Sequence, residues 1–430
     1  MLRLAHLSDI HFSNHASKIG FNPDRDVRSE LKRDLADQVK KRGPLDAILV
    51  TGDIAFAGKR EEYQDAAAWL DELCDAGECS RSSVFVCTGN HDIDQAVLKA
   101  NSAIQDMHDA IRRGPTHYDR DSALMRRLEQ PEVRNLLYAP LREYNEFAAR
   151  YECSFFGGNE SFAWDRDLQL NDGSILRIRG LNSALLSGLS DREKSLFLGT
   201  NAWTMPRHDG VEYLCMSHHP PNWLQDGREF EVGLDRARIQ LFGHEHDQRI
   251  TPARDYVRLY AGSVNPHRSE PSWQPGYNIL EISIETGDGV RNMVVDAHVR
   301  VWRGPPPLFR NHDDKDGTPY HRTVIKLADW SPPSAWRPEP VVSQEEPTVP
   351  SPPGESTKPA TTMTVRELVH RFFRLSLSQK TEIVGRLDLA KEEDNALPDV
   401  ERYKLALLRA KEANQLNDVG ELIEEMEKRG

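Results

Sequence analysis

The stretch Val84-Phe85-Val86-Cys87-Thr88-Gly89-Asn90-His91-Asp92 decides the fold. An apolar run of strand length stops at a glycine and gives way to three residues that can bind a metal or move a proton. The same change recurs four times. Leu2–Leu7 leads to Asp9-Ile10-His11, Ala47–Thr51 to Gly52-Asp53, Val211–Met216 to His218-His219-Pro220, and Ile239–Phe242 to Gly243-His244-Glu245-His246. In open α/β sheets, ligands bind beyond the carboxyl ends of strands, where loops converge. Five such loops in one chain predict a single site at that edge.

Working outward, further strands are expected over Ile175–Leu181, Val257–Ala261 and Tyr277–Ile284, and helices over Arg28–Arg42 and Glu61–Cys74. Most of the strand candidates are short continuous apolar runs, as in strands covered on both faces, so the class is a layered α/β domain. Residues 99–150 read as a helical insertion. Met107, Ala110 and Ile111 share one helical face, and Leu136–Arg150 forms a second amphipathic helix. The insertion's arginines are matched by acids, which reads as a solvated face, with a lid over the substrate as the alternative.

The boundary between domains lies at 331–362, which holds nine of the 26 prolines. Such a segment cannot hold a helix and forms an extended tether. It separates residues 1–330 from a small helical unit at 363–430. There Thr364-x-x-Glu367 reads as a capping box, ahead of Val365, Leu368, Val369, Phe372 and Phe373 at helical spacing. Further helices fit Asp399–Ala413 and Asn417–Lys428, giving a bundle of three or four helices.

Composition narrows the class. The 430 residues are 38% hydrophobic and 29% charged, with a net charge of -13. An acidic body gives no support to sequence-independent duplex binding. Five cysteines with no Cys-x-x-Cys pair read as reduced thiols. No apolar run approaches a membrane span, and the first residues are too short for a signal peptide. The expectation is a cytoplasmic protein with no membrane contact.

The loop residues have a physical reading of their own. In Asp9-x-His11 and His244-x-His246, residues two apart on an extended chain leave on the same side. Glycines before Asp53, Asn90 and His244 allow tight turns at strand ends. Imidazole, carboxylate and amide oxygen together suit borderline divalent metals such as Mn, Fe or Zn, and not an all-oxygen calcium site.

In order and spacing, these motifs resemble the calcineurin-like metallophosphoesterase family: D-x-H, G-D, G-N-H-D, H and G-H-x-H, over roughly residues 1–300. The resemblance implies two packed sheets flanked by helices, with two divalent transition metals at the strand ends. It implies that Asp9, His11 and His246 hold the first metal and Asn90, His218 and His244 the second, with Asp53 bridging. It makes His91 the residue that assists the leaving group, and Asp92 the residue that orients His91. The implied chemistry is attack of a metal-bridging hydroxide on a phosphate ester. Outside that set, His219 reads as a neighbour that packs or contacts substrate, and His6 and His15 as surface or core packing. Asn182-Ser183 and Gly262-Ser263 read as turns, with Asn182-Ser183 facing the site as the alternative.

Three functions fit. The first is a phosphodiesterase acting on nucleotides or nucleic acid, because family members with a histidine at the His91 position cleave diesters. The second is a phosphomonoesterase or protein phosphatase using the same metals. The third is a signalling or defence effector recruited through residues 363–430, which resemble the helical effector-associated domains of bacterial conflict systems. For that unit, dimerisation or packing on the catalytic domain is the competing role.

Overall fold

The computed structural model describes residues 1–13, 23–155, 162–266, 274–314, 316–332 and 363–429. His15 and most of the proline-rich segment lie outside them. β1 (Leu2–Leu7), β2 (Ala47–Val50) and β3 (Val84–Val86) run parallel. Parallel neighbours need a crossover, and helices Pro23–Arg42 and Arg60–Gly77 supply it. Every residue of β2 and β3 is buried, and in β1 the buried run is broken only at Arg3. This two-sided burial is why these strands read as continuous apolar runs.

β4 (Ala163–Gln169), β5 (Ile175–Leu181), β6 (Val211–Ser217), β7 (Ala237–Phe242), β8 (Arg249–Pro252) and β9 (Val257–Tyr260) form the second sheet, in the order β4-β5-β6-β7-β9-β8. Its central pairs are parallel, and its outer strands β4 and β8 are antiparallel. The chain then returns to the first sheet through β10 (Gly276–Gly287), β11 (Val290–Arg303), β12 (Leu308–Asn311) and β13 (His321–Lys326). The first sheet has the order β12-β11-β10-β1-β2-β3, with β13 also paired to β11. The expected pair of sheets flanked by helices, followed by a helical C-terminal unit, is the observed architecture.

Side chains join the two sheets. Trp164 Nε1 on β4 and Tyr144 Oη in the insertion both donate to the Val86 carbonyl at 3.1 Å. Asn171 brackets Ile284, accepting from its N–H at 2.7 Å and donating to its carbonyl at 2.8 Å.

Two elements differ from expectation. The helix expected over Leu136–Arg150 is broken into Pro131–Tyr138, a tight turn at Ala139–Leu141, and Arg142–Ala148. Pro140 lacks an N–H and its ring clashes with the preceding turn, so one continuous helix cannot form. The strand expected to end at Ile284 continues into a long hairpin with β11, turning at Asp288-Gly289 with φ 49 and 74. A two-residue Asp-Gly turn is the one whose twist suits a hairpin.

The C-terminal unit comprises helices Val365–Arg374, Leu377–Arg386, Asp399–Glu412 and Leu416–Arg429. Thr364 Oγ1 caps the first, accepting from Glu367 N at 3.2 Å. The unit packs on the rest of the chain. His370 lies against Tyr151 with ring centroids 5.5 Å apart, Arg374 Nη1 is 2.7 Å from Asp71, and Arg366 sits over the Phe85 ring at 5.1 Å. All five cysteines are free thiols, four of them buried. Among the described residues, no helix is long and apolar enough to cross a membrane.

Helix Pro23–Arg42 is pinned to the first sheet through Asp34. Its carboxylate accepts from Arg300 at 2.6 and 2.8 Å and from Tyr277 Oη at 2.6 Å. Removing one partner strands the others in a buried place. Asp34→Ala is therefore expected to destabilise the domain by about 3 kcal/mol, read as a lower urea midpoint at unchanged slope.

Candidate metal centre

The five ligand-type loops converge at the carboxyl ends of β1, β2, β3, β6 and β7. Asp9, His11 and His246 offer ligand atoms within 4.8 Å of one another, and so do Asp9, Asp53 and His218. His11, Asp53 and His91 form a third such group, and His218, His219 and His244 a fourth. Asn90 joins through its amide oxygen, which lies 3.2 Å from His218 Nε2 and 3.0 Å from His244 Nδ1. All seven residues expected to ligate are thus brought together. So is His219, which the sequence reads as packing or contacting substrate and not as a ligand.

The local cause of this convergence corrects the sequence reading. Asp9, His11, Asp53, His244 and His246 all have positive φ, between 51 and 69. They do not sit on an extended chain. Each turns the backbone sharply in the left-handed region, which Asp and His enter more readily than most residues. The glycines act by their size as much as their freedom. A Cβ on Gly89 would lie 2.1 Å from Asp53 Oδ1, and one on Gly52 would lie 2.8 Å from Gly89 N and from His218 Cβ. Only bare backbone lets the β2, β3 and β6 loops approach this closely.

Hydrogen bonds then aim the rings. His218 Nδ1 donates to the Thr51 carbonyl at 2.8 Å, so its Nε2 faces the centre. His91 Nδ1 donates to the Phe56 carbonyl at 2.8 Å, leaving Nε2 available, and His91 N–H donates to Asp53 Oδ1 at 2.8 Å. This replaces the expected role of Asp92. The Asp92 carboxylate does not touch the His91 ring; it accepts from Ile54 N, Ala55 N, Gly89 N and Tyr63 Oη. The tight turn Asn90–Asp92 sends the two side chains apart.

Several contributors carried no sequence signal beyond their place after a strand. Ser263 Oγ donates to the Asp9 carbonyl at 2.9 Å. Ser183 Oγ lies 3.0 Å from His219 Nδ1, and Asn182 Oδ1 accepts from Thr88 Oγ1 at 2.9 Å. Gly262-Ser263 and Asn182-Ser183 therefore support the centre from beneath. His6 is buried packing, as expected, 3.0 Å from Thr51 Oγ1.

The electrostatics suit a cation. Burial opposes ionisation of Asp9 and Asp53, but His218 and the other nearby histidines outweigh it and hold both carboxyls well below their usual range. Burial likewise opposes charge on His218, yet Asp53 and Asp9 push it up to about 9. His11 and His244 are drawn down to about 4 by burial. His218 Nε2 faces the Asn90 oxygen and, at 3.4 Å, Asp53 Oδ2, so without a proton three lone-pair atoms would confront one another. His11 Nδ1 and His219 Nε2 are buried with no hydrogen-bond partner. A divalent cation would occupy the place of that proton and give such nitrogens a partner, so the donor set fits the metals that the motifs imply.

The model of the calcineurin-like phosphoesterase family matches residues 2–248, and that of a GTPase-associated adaptor domain matches residues 364–425. A search of curated proteins finds no match. Among solved structures, Vps29 from Chaetomium thermophilum is 12% identical with a TM-score of 0.29, over 77% of this chain and all (100%) of that one. A purple acid phosphatase from yellow lupin is 12% identical with a TM-score of 0.37, over 78% of this chain and 57% of its own. A 5'-nucleotidase-like protein from Staphylococcus aureus is 10% identical with a TM-score of 0.33, over 77% and 55%.

Because the Gly89 position admits no side chain, Gly89→Ala must displace Asp53. Metal binding is expected to weaken about 10–100-fold with the fold retained, measured as metal content after dialysis alongside circular dichroism.

Proposed function

The chain belongs to the calcineurin-like phosphoesterase family, and from that premise we propose that it hydrolyses phosphodiester bonds in nucleotides or nucleic acid with two divalent metals. The observation that carries the reading is His91. Its ring stands beside His11, with centroids 4.7 Å apart, and is anchored through Nδ1 to the Phe56 carbonyl. Anchored in this way, it has one nitrogen left for the substrate.

Asp9, His11 and His246 would hold one metal, and Asn90, His218 and His244 the other, with Asp53 between them. Bound there, the metals would supply Lewis-acid charge and a water of lowered pKa. The chain's own residues do the rest. Thr51 holds His218 in the tautomer that points Nε2 inward. With Nδ1–H still held by Phe56, the ring must take a second proton, and as the imidazolium His91 can give the Nε2 hydrogen to the oxygen that departs, which a diester needs because an alkoxide is a poor leaving group. Asp53 fixes the His91 backbone through its N–H. A second reading concerns the C-terminal unit. Its match to an adaptor domain, and its exposed Val365, Leu377 and Leu408, support recruitment of a protein partner while it stays packed on the catalytic unit.

His91 makes the test specific. For a dinucleotide with an alkoxide leaving group, His91→Ala is expected to lower kcat about 100-fold or more. For bis-p-nitrophenyl phosphate, whose phenolate leaves without a proton, the loss should be much smaller. Asp53→Asn and exhaustive chelation should abolish both activities. Equal losses of the two substrates in His91→Ala would refute the leaving-group role, and hydrolysis of monoesters alone would refute the diesterase.

A further inference from the structure

A cavity of about 440 Å³ opens between the C-terminal unit and the catalytic unit. Its walls carry five cations, Arg60, Arg142, Arg150, Arg374 and Lys380, and three acids, Glu143, Glu146 and Asp399. Most of these charges are already paired. Arg60 lies 2.9 Å from both Glu143 and Glu146, and Arg142 lies 3.4 Å from Glu146. Arg374 is paired with Asp71 at 2.7 Å, and Asp399 with Arg402 at 2.8 Å.

Two cations remain, one from each wall. Among the described residues, neither Arg150 nor Lys380 has a carboxylate at ion-pair distance. Arg150 Nε is buried with no hydrogen-bond partner. Lys380 Nζ stands over the rings of Phe373 and Tyr403 at 5.8 and 5.6 Å. Burial pulls the pKa of each down, and the Arg150 charge pulls Lys380 down further, so the two feel each other. Glu146 acts on both cations from a distance, joined by Asp71 for Arg150 and by Asp399 for Lys380, but burial outweighs these acids in each case. Such an arrangement costs free energy until a counter-charge arrives.

We propose that this cleft is a binding site for a compact oxyanion of the phosphate class, held between Arg150 of the catalytic unit and Lys380 of the C-terminal unit. Opposed walls suit a tetrahedral anion, which presents oxygens in both directions. An Arg fork and a Lys point charge are the two side chains most used for phosphate. The cavity has room for phosphate or for a phosphorylated small molecule. The bound anion would also tie the two units together, since each supplies one cation. Nothing in this assignment depends on the metal centre.

The probe is inorganic phosphate, titrated calorimetrically into the full chain in chloride buffer of constant ionic strength. An Asp53→Asn background keeps phosphate from the metal centre. One saturable site is expected, weakened about tenfold or more by Lys380→Gln, in line with loss of a charge-assisted contact. Arg150→Lys keeps the charge without the fork and should weaken binding less than Arg150→Gln; it also provides a variant with little risk to folding. In the otherwise native chain, Lys380→Gln should leave bis-p-nitrophenyl phosphate hydrolysis unchanged. Absence of a saturable site, or binding that Lys380→Gln and both Arg150 variants leave untouched, would overturn the proposal.

Discussion

The Asp92 carboxylate is the constraint on which the rest of the centre depends. Fully buried, it accepts hydrogen bonds from Ile54 and Ala55 after β2, from Gly89 after β3, and from Tyr63 on helix Arg60–Gly77. Burial first, and then the nearby Asp53 charge, push its pKa up against those bonds. A buried carboxylate is tolerated only where such donors satisfy it. Its position is therefore set by three chain segments at once, and those segments in turn are set by it. Two of them carry Asp53, Asn90 and His91, so the carboxylate fixes the relative placement of residues that it does not touch.

That fixing is needed because the loops are strained. Five of the residues proposed as ligands hold left-handed backbone, at roughly 1 kcal/mol or more apiece, so the total is of the order of a whole domain's net stability. Hydrogen bonds such as Ser263 Oγ to the Asp9 carbonyl offset part of it. The reward is geometric. A left-handed residue at a strand end throws the chain back over the sheet edge, which is how Asp9 and His11 reach one site although the chain between them is not extended.

Much of this was legible in the sequence, and the limits have physical causes. The parallel strands were readable because burial on both faces makes them apolar throughout. The ligand loops were readable because their residue types are rare at such positions and recur five times. β11 was not, because Arg291, Asp296, His298 and Arg300 interrupt it while remaining buried. Glu281, the partner of His298, is 17 residues away on the paired strand, but the partners of the two arginines lie far off in the chain: Asp34 for Arg300, and Asp172 and Glu212 for Arg291. Periodicity cannot reveal why an arginine is buried when its partner is some 80 to 270 positions distant. Asp92 misled for the opposite reason. Adjacency to His91 suggested contact, but a tight turn separates neighbours as readily as it joins them.

Tyr63 links the two charged regions of the molecule. Its hydroxyl donates to Asp92 Oδ1 at 3.0 Å, and the same residue lines the cleft beneath the C-terminal unit. Its ring stacks on Phe147 at 5.1 Å, on the segment that leads to Arg150. A continuous path of packed side chains therefore runs from the cleft to the loops that carry Asp53 and His91. Contact alone is not coupling, because a ligand shifts an equilibrium only if it binds two arrangements unequally. The cleft meets that condition in principle: its two unpaired cations sit on different units, so an anion favours the docked arrangement over any in which the units part. Tyr63 lies on the catalytic side of that contact. Its hydroxyl is also the one side-chain donor among the hydrogen bonds described for the Asp92 carboxylate, the others coming from the backbone of Ile54, Ala55 and Gly89.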